Sequence, residues 1–508
     1  MRIIALLLLM AGPALAGESF LKDGDRWLFL GDSITHNDTY RRTIERVVRH
    51  FHPGMTFASG NMGFSGATSG VKVSATNANP TVVSIMFGMN NAINSDWRHG
   101  RPMQPALDAY RRDMTAKARE FKALGAAVIL MTPTLTDESF NSGIYELKGT
   151  REFLRQCARI IQEIAQAEGV YWLPVQEEFE AFQDTLATEQ VLRLDGVHPS
   201  ALGQYQIART FWEHLDVAGS LATGDRKLAT DVPALPLTVS LATRLATNDV
   251  SLQIRSPEPM TVQATWSTGD SRGHETLRLT GGEDGWTLPF QATGQAIVDF
   301  AADGKRSIYI LDFARTRVLH PTGGVVTGAV DTATWRIESS GKALVFSGTV
   351  TDTDNQPDNM WPWARDGVAL WLDLRPPERF ADINVDDDVH MTILTWREAQ
   401  MTGAMIPWIG RGMQHAAESR MTGTPTGYAW LLRIGNAFSN KRGTDFPMMD
   451  FTGFNLKVHD QDAGKPLAIH DAQPTVEPTD KYANGLMIVD WKNKLPVNDV
   501  TTVHLFGR

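Results

Sequence analysis

The sequence predicts an N-terminal α/β domain built on a parallel sheet, followed by all-β sandwich domains. Three observations carry this expectation. Apolar runs of strand length alternate with amphipathic helical stretches up to about residue 215, a Gly/Ser/Ala/Thr/Pro passage follows, and helical periodicity then almost vanishes. Strands that are apolar throughout must be covered on both faces, and alternation with helices is how a chain covers a parallel sheet. The 508 residues are enough for about three domains at roughly 150 residues each.

Taken in order, residues 27–30 (WLFL) read as a buried strand and residues 40–50 as a helix. Residues 81–87 (TVVSIMF) are the next strand, 107–124 a helix stopped by Gly125, and 126–131 (AAVILM) a strand ended at Pro133. A long helix over 145–167 leads to a strand at 170–175, and a helix over 201–215 closes the region. Residues 219–236 have little periodicity and read as a linker. Beyond them, 250–254, 262–266, 296–300 and 307–311 are strand-like between Gly/Asp/Pro turns, which fits a small β-sandwich. From about residue 322 the strands lengthen and hold eight of the 14 tryptophans, which fits a second sandwich. The expected division is a signal peptide at 1–16, the α/β domain at 17–219, a linker at 220–236, and β-sandwiches at 237–320 and 321–508.

Composition excludes several classes. Hydrophobic residues at 42% and charged residues at 21% are ordinary for a globular chain and rule out disorder. The net charge of −10 repels phosphate backbones, so no nucleic-acid partner is expected. Cys157 is the only cysteine, which excludes an intrachain disulfide and a cysteine-based metal site. Arg2 precedes an apolar run at 3–10, and Ala14 and Ala16 put small residues at the −3 and −1 positions of a cut before Gly17. This pattern reads as a secretory signal peptide cleaved after Ala16. The apolar run is shorter than the roughly 20 residues a bilayer span needs. A secreted or periplasmic protein without a membrane span is expected, its oligomeric state left open.

Four blocks in the first region carry chemistry. Gly31-Asp32-Ser33-Ile34-Thr35 directly follows the first strand, where ligands of parallel α/β sheets bind. Asp195-Gly196-Val197-His198-Pro199 precedes the last helix, so one loop could supply both a base and the acceptor that orients it. Asn61-Met62-Gly63-Phe64-Ser65-Gly66-Ala67-Thr68 and Phe87-Gly88-Met89-Asn90-Asn91 are loops that could donate to a developing oxyanion. Singly, each has a plainer reading as a helix cap, a surface histidine or a flexible turn.

Together, in this order and at these strand ends, the blocks resemble the SGNH/GDSL hydrolase superfamily over residues 26–215. The resemblance implies a flavodoxin-like SGNH fold and a serine carboxylic ester hydrolase. It puts the nucleophile at Ser33, the acid and base at Asp195 and His198, and the oxyanion hole at the N–H groups of Ser33 and Gly66 with the Asn90 side chain. One departure is Asn91, where the family's GxND block ends in aspartate. His36 could line the pocket or lie on the surface. The implied mechanism is two-step acyl transfer needing no metal or organic cofactor.

The last region more weakly resembles the carbohydrate-binding modules of family 9 and DOMON-like sandwiches. The matching residues are Trp335, residues 345–352, the run Trp361-Pro362-Trp363-Ala364-Arg365-Asp366-Gly367-Val368-Ala369-Leu370-Trp371-Leu372-Asp373, and Gly453-Phe454-Asn455-Leu456 with Asp460. Trp361 and Trp363 would share one side of an extended chain and are the first candidates for a sugar platform. For any single tryptophan, sandwich core is the plainer reading. Asp352, Asp354 and Asp358, and Asp386-Asp387-Asp388, are compatible with a structural calcium ion, a solvated acidic loop being plainer.

Three functions stay open at this point. One is a secreted carbohydrate O-acetylesterase acting on acylated polysaccharide or oligosaccharide. Another is a general esterase or lysophospholipase with accessory domains that take no part in catalysis. The third is a non-hydrolytic carbohydrate-binding protein. On any of them, every block of the site precedes Gly219.

Overall fold

The computed structural model describes residues 19–351 except 74–78, 95–96, 98–99, 139–146, 186–190, 193–195, 230–233, 243–244, 247–248, 270, 291–293, 331–332 and 340–342. Beyond these it describes segments 367–373, 389–395, 404–409, 417–435, 451–459, 467–468, 487–491 and 500–507. The expected signal peptide, Asp195, Trp361, Trp363 and both acidic clusters lie outside the described residues.

The first domain alternates strands and helices as expected. Its elements are β1 (Asp25–Gly31), α1 (Ser33–His36), α2 (Thr39–Phe51), β2 (Phe57–Gly63), β3 (Val82–Met86), α3 (Met89–Ile93), α4 (Gln104–Ala123), β4 (Ala127–Met131), α5 (Thr150–Glu168), β5 (Tyr171–Leu173), α6 (Val175–Thr185) and α7 (Ala201–His214). The strands pair in parallel in the order β2-β1-β3-β4-β5, the flavodoxin-like order. Every residue of β3 is buried, as a strand covered by helices on both faces must be. On α2, Tyr40, Ile44, Val47 and Val48 are buried on one stripe, with Arg42, Arg46 and Arg49 turned away from it.

Two helical details differ from expectation. Helix α5 starts at Thr150 rather than 145, because Gly149 turns at φ 82, where a Cβ would lie 3.2 Å from the Trp97 ring. Helix α6 was missed because Val175 continues an apolar run. In fact Pro174 ends β5, and the next residue begins a helix.

The middle region is two facing antiparallel layers. Strands β6 (Thr238–Leu241), β8 (Ser251–Arg255) and β11 (Glu283–Thr287) form one. The other holds β9 (Pro259–Ser267), β10 (Arg272–Thr280), β12 (Gly294–Ala302) and β13 (Lys305–Leu319), and the short β7 (Leu245–Ala246) joins the same sheet. Leu252, Ile254, Val262, Phe300, Tyr309 and Leu311 fill the space between the layers.

Two expected boundaries need correction. Residues 220–229 are not a free linker: Arg226 pairs with both carboxylate oxygens of Asp25, donates to Phe20 O at 2.7 Å, and Ala222 N bonds Leu21 O. The division at residue 320 also fails, because strand Val500–Gly507 pairs antiparallel along β13 from Tyr309↔Gly507 to Thr316↔Val500. Its Val503 belongs to the middle core. Composition and periodicity register which face of a strand is buried but not which distant strand lies beside it.

The C-terminal region contains the expected sandwich. A five-stranded antiparallel sheet of Val325–Val330, Ala333–Ser339, Ala343–Thr351, Gly427–Gly435 and Ala417–Thr424 packs Trp335, Phe346, Trp430 and Leu432 against Val368, Leu370 and Phe454. Trp335 and Trp430 are therefore core, and the Trp335 ring meets Phe454 edge-on at 5.6 Å. Among the described residues, no helix is long and apolar enough to cross a membrane.

The middle sheet is joined to the first domain through α2 and α7. Ile297, Ile310 and Phe506 belong to the same apolar core as the helices, and Phe506 stacks on Tyr205 of α7 at 3.9 Å. At the centre is a polar string built around two buried residues, His50 and Asp299. His50 of α2 places Nε2 2.6 Å from Asp299 Oδ1 and Nδ1 2.7 Å from Ser267 Oγ, while Arg306 donates to Asp299 Oδ2 at 2.6 Å. The residue types are those of a catalytic triad, but His50 has no exposed side-chain surface, so this set acts as a bolt between domains. Removing one partner of such a set leaves buried polar groups unmatched. Asp299→Ala should therefore cost about 3 kcal/mol of stability in urea unfolding, and a loss below about 1 kcal/mol would mean the string does not hold the interface.

Candidate active site

The turn that carries Ser33 is shaped by close approach. A Cβ on Gly31 would lie 2.1 Å from Thr35 Oγ1 and 2.7 Å from Met86 O, so only glycine lets β1 pass into α1 here. Asp32 caps α1 by accepting from Ile34 N at 3.0 Å. Ser33 is thereby set at the carboxyl end of β1, 8% exposed.

The loop at 196–200 returns to this point from the far end of the domain. Leu192 and Pro199 form a β-bridge, and Ser200 caps α7 by accepting from Gly203 N at 3.2 Å. His198 Nε2 lies 2.9 Å from Ser33 Oγ, across 165 residues of sequence. The buried Gln204 of α7 ties this helix to the turn that carries Ser33: its Oε1 accepts from Tyr40 N at 3.3 Å and its Nε2 donates to Ile34 O at 3.4 Å. Gln204 carried no signal beyond its place on an apolar helix face.

The two candidate oxyanion loops meet each other, and the first also bonds the turn that carries Ser33. Gly63 packs β2 against α1, where a Cβ would lie 2.2 Å from His36 N. Phe64 N donates to Gly31 O at 3.0 Å, and Gly66 follows, exposed and at φ 78. Asn61 bridges β2 to the start of α2, donating to Thr35 O at 2.8 Å and to Asp38 Oδ1 at 2.6 Å. Asn90 opens α3 and donates from Nδ2 to Ala67 O at 3.0 Å, which leaves its second amide hydrogen for another acceptor. Asn91 binds Ser69 instead. His36 is exposed and places Nδ1 3.1 Å from Gly63 O, a surface position rather than a pocket wall.

Burial pushes the Asp32 carboxyl up from its usual 3.8 to about 6, against the pull of the Ile34 N–H and of nearby His198. A carboxyl raised in the folded state contributes its stability below about pH 4 and loses it as pH rises through about 6. Asp32→Asn keeps an oxygen for the cap but cannot ionise. It should exceed the parent in stability at pH 8, by up to about 3 kcal/mol, with the gap closing toward pH 4. Urea midpoints across that range test this, and a constant gap would show that Asp32 does not titrate there.

Residues 29–205 match the GDSL-like Lipase/Acylhydrolase family. No curated protein matches the chain. Among solved structures, a variant of an acetyl-xylooligosaccharide esterase from Geobacillus stearothermophilus is 26% identical, over 38% of this chain and 94% of its own, with a TM-score of 0.32. A catalytic variant of an acetylxylan esterase from the same organism is 24% identical, over 40% and 99%, at 0.33. An α/β hydrolase enzyme from the metagenome of Lake Arreo, Spain, is 18% identical, over 40% and 100%, at 0.33. Residues 29–205 are thus a GDSL-like lipase/acylhydrolase domain, and the enzyme is a carboxylic ester hydrolase of the SGNH type.

Proposed function

We propose that this chain is an exported serine esterase that removes acetyl and other short acyl groups from carbohydrate. The observation that carries the hydrolytic reading is the 2.9 Å contact between Ser33 Oγ and His198 Nε2 at the rim of the parallel sheet. A serine hydroxyl becomes a nucleophile when a base within hydrogen-bond reach can take its proton.

In the proposed route, His198 Nε2 accepts the Ser33 proton as Oγ attacks the ester carbonyl. The oxyanion is met by the N–H groups of Ser33 and Gly66 and by the Asn90 amide. Asp195, assigned from the DxxH spacing, holds the imidazole and balances its charge. The imidazolium returns the proton to the leaving sugar hydroxyl, giving an acyl-Ser33 intermediate. Water, deprotonated by His198, then attacks the acyl carbon and releases the acid. No metal or organic cofactor takes part.

Phe64 supports the carbohydrate reading. It is 45% exposed and lies two residues before Gly66, with its backbone bonded to the nucleophile turn. An aromatic face left open at a site mouth suits the C–H face of a sugar ring. The signal-like N-terminus and the tryptophan-rich C-terminal region fit an exported enzyme on acylated glycan. A general esterase is the second reading, favoured by the core that the middle domain shares with the first.

Ser33→Ala should lower kcat at least about 10³-fold on p-nitrophenyl acetate and on acetylated xylan, with the fold intact by circular dichroism. Near-normal turnover would overturn the nucleophile assignment. Phe64→Ala should raise KM about tenfold for acetylated oligosaccharide and change little for p-nitrophenyl acetate, as loss of about 1.4 kcal/mol of ring stacking predicts. Equal effects on both substrates would favour the general esterase.

A further inference from the structure

The chain departs from its family's pattern at Asn91, and the surroundings of that residue give the departure a chemical reason. Asn91 grips Ser69 at two points: Oδ1 accepts from Ser69 N at 3.0 Å, and Nδ2 donates to Ser69 Oγ at 3.0 Å. The Ser69 hydroxyl in turn donates to Asp113 Oδ2 of α4 at 3.3 Å. Ser69 is fully buried. A hydroxyl has a single proton, and here it points at a carboxylate. Whatever stands at position 91 must therefore supply a hydrogen to Ser69 Oγ, which an amide can do and a carboxylate cannot.

This relay lies in the loop that carries Gly66. Residues 66–71 are strung between two helices. From α3, Asn90 donates to Ala67 O and Asn91 clamps Ser69. From α4, Asp113 accepts from Ser69 and Lys117 Nζ donates to Val71 O at 2.6 Å. The position of Gly66 N–H relative to the Asn90 amide is thus determined by the grip on residues 67–71.

We propose that Asn91 is a positioning residue for the oxyanion loop, and that Asp113 dictates its being an amide. The proposal rests on the reading of Gly66 and Asn90 as oxyanion donors. An aspartate at position 91 would still accept from Ser69 N, but it and Asp113 would then flank a single hydroxyl proton with two negative charges. Changing Asp113 to asparagine at the same time reverses the relay. The new amide at 113 donates to Ser69 Oγ, and the hydroxyl proton turns to the carboxylate at 91.

The test measures kcat and KM on p-nitrophenyl acetate with the full chain. Removing one oxyanion donor outright costs about 10²–10³, so a loop held out of place by Asn91→Asp should cost about tenfold in kcat with KM within about twofold. The double variant Asn91→Asp with Asp113→Asn should recover most of that loss. In a Ser69→Ala background, where no hydroxyl proton is contested, Asn91→Asp should cost less than about twofold. This arm, followed by circular dichroism, keeps the question answerable if the single variant folds poorly. A fall in kcat that the double variant does not recover, or one that persists undiminished in the Ser69→Ala background, overturns the proposal. So does an Asn91→Asp enzyme indistinguishable from the parent while Asn90→Ala is impaired. If Asn90→Ala and Ser33→Ala both retain activity, the underlying assignment of the site fails instead.

Discussion

A hydroxyl and an imidazole separated by 165 residues meet at 2.9 Å, and much of the first domain can be understood as what holds them there. Ser33 is held from below by β1, an inner strand of the sheet paired on both sides, with β2 and β3. His198 is held by the start of α7, which packs on α2 through Gln204 and an aromatic cluster. In that cluster Phe211 lies 5.6 Å from Trp27, 5.7 Å from Phe29 and 6.2 Å from Tyr40. Rings of this size bury large areas and prefer a few mutual geometries, so they limit how far α7 can slide. A shift of one ångström at the site is costly for chemistry, and the packing beneath it is where such a shift is resisted.

How much of this was legible follows from what a sequence pattern encodes. The strands at 27–30, 81–87 and 126–131 were readable because each is buried on both faces, and apolar continuity records that directly. The Gly-Asp-Ser turn was readable because Gly31 tolerates no side chain and Asp32 caps the next helix. Strands β10 and β11 were passed over because their patterns are mostly polar and exposed. Trp335 resolved toward core, with Gly328 and Gly348 leaving the room that its ring and that of Trp430 occupy. Arg226 looked like one charge in a linker of little periodicity, and its pairing with Asp25 is a contact across 201 residues that no local pattern records.

Of the candidate site, Ser33 and His198 stood out because four blocks occur together in one order along the domain, each alone having a plainer reading. Asn90 and Asn91 were harder to separate. Both are amides on one helical turn, yet the first donates to Ala67 O and the second grips Ser69. Their difference lies in which side of the same loop each one faces, and that depends on Gly88, whose φ of 145 starts the turn, and on Pro133 packed against it. Asp32 was read only as a cap, although its burial beside His198 also makes it titrate near neutrality.

The β region is not hung on this enzyme as a separate body. Burying His50 and Asp299, with the half-buried Arg306 beside them, carries a desolvation penalty that is offset only when each finds its partners in one specific arrangement. A tether that only had to keep a module nearby would need no such set. The same interface reaches α7, the helix that follows His198. Tyr205 on α7 stacks on Phe506, accepts from Gln295 and donates to Asp312 at 3.4 Å, while its sequence neighbour Gln204 bonds the turn that bears Ser33. Two adjacent residues thus face in opposite directions, one toward the turn that bears Ser33 and the other toward strand 500–507. The middle sheet and the turn that bears Ser33 are joined through one turn of α7, the helix that begins just after His198.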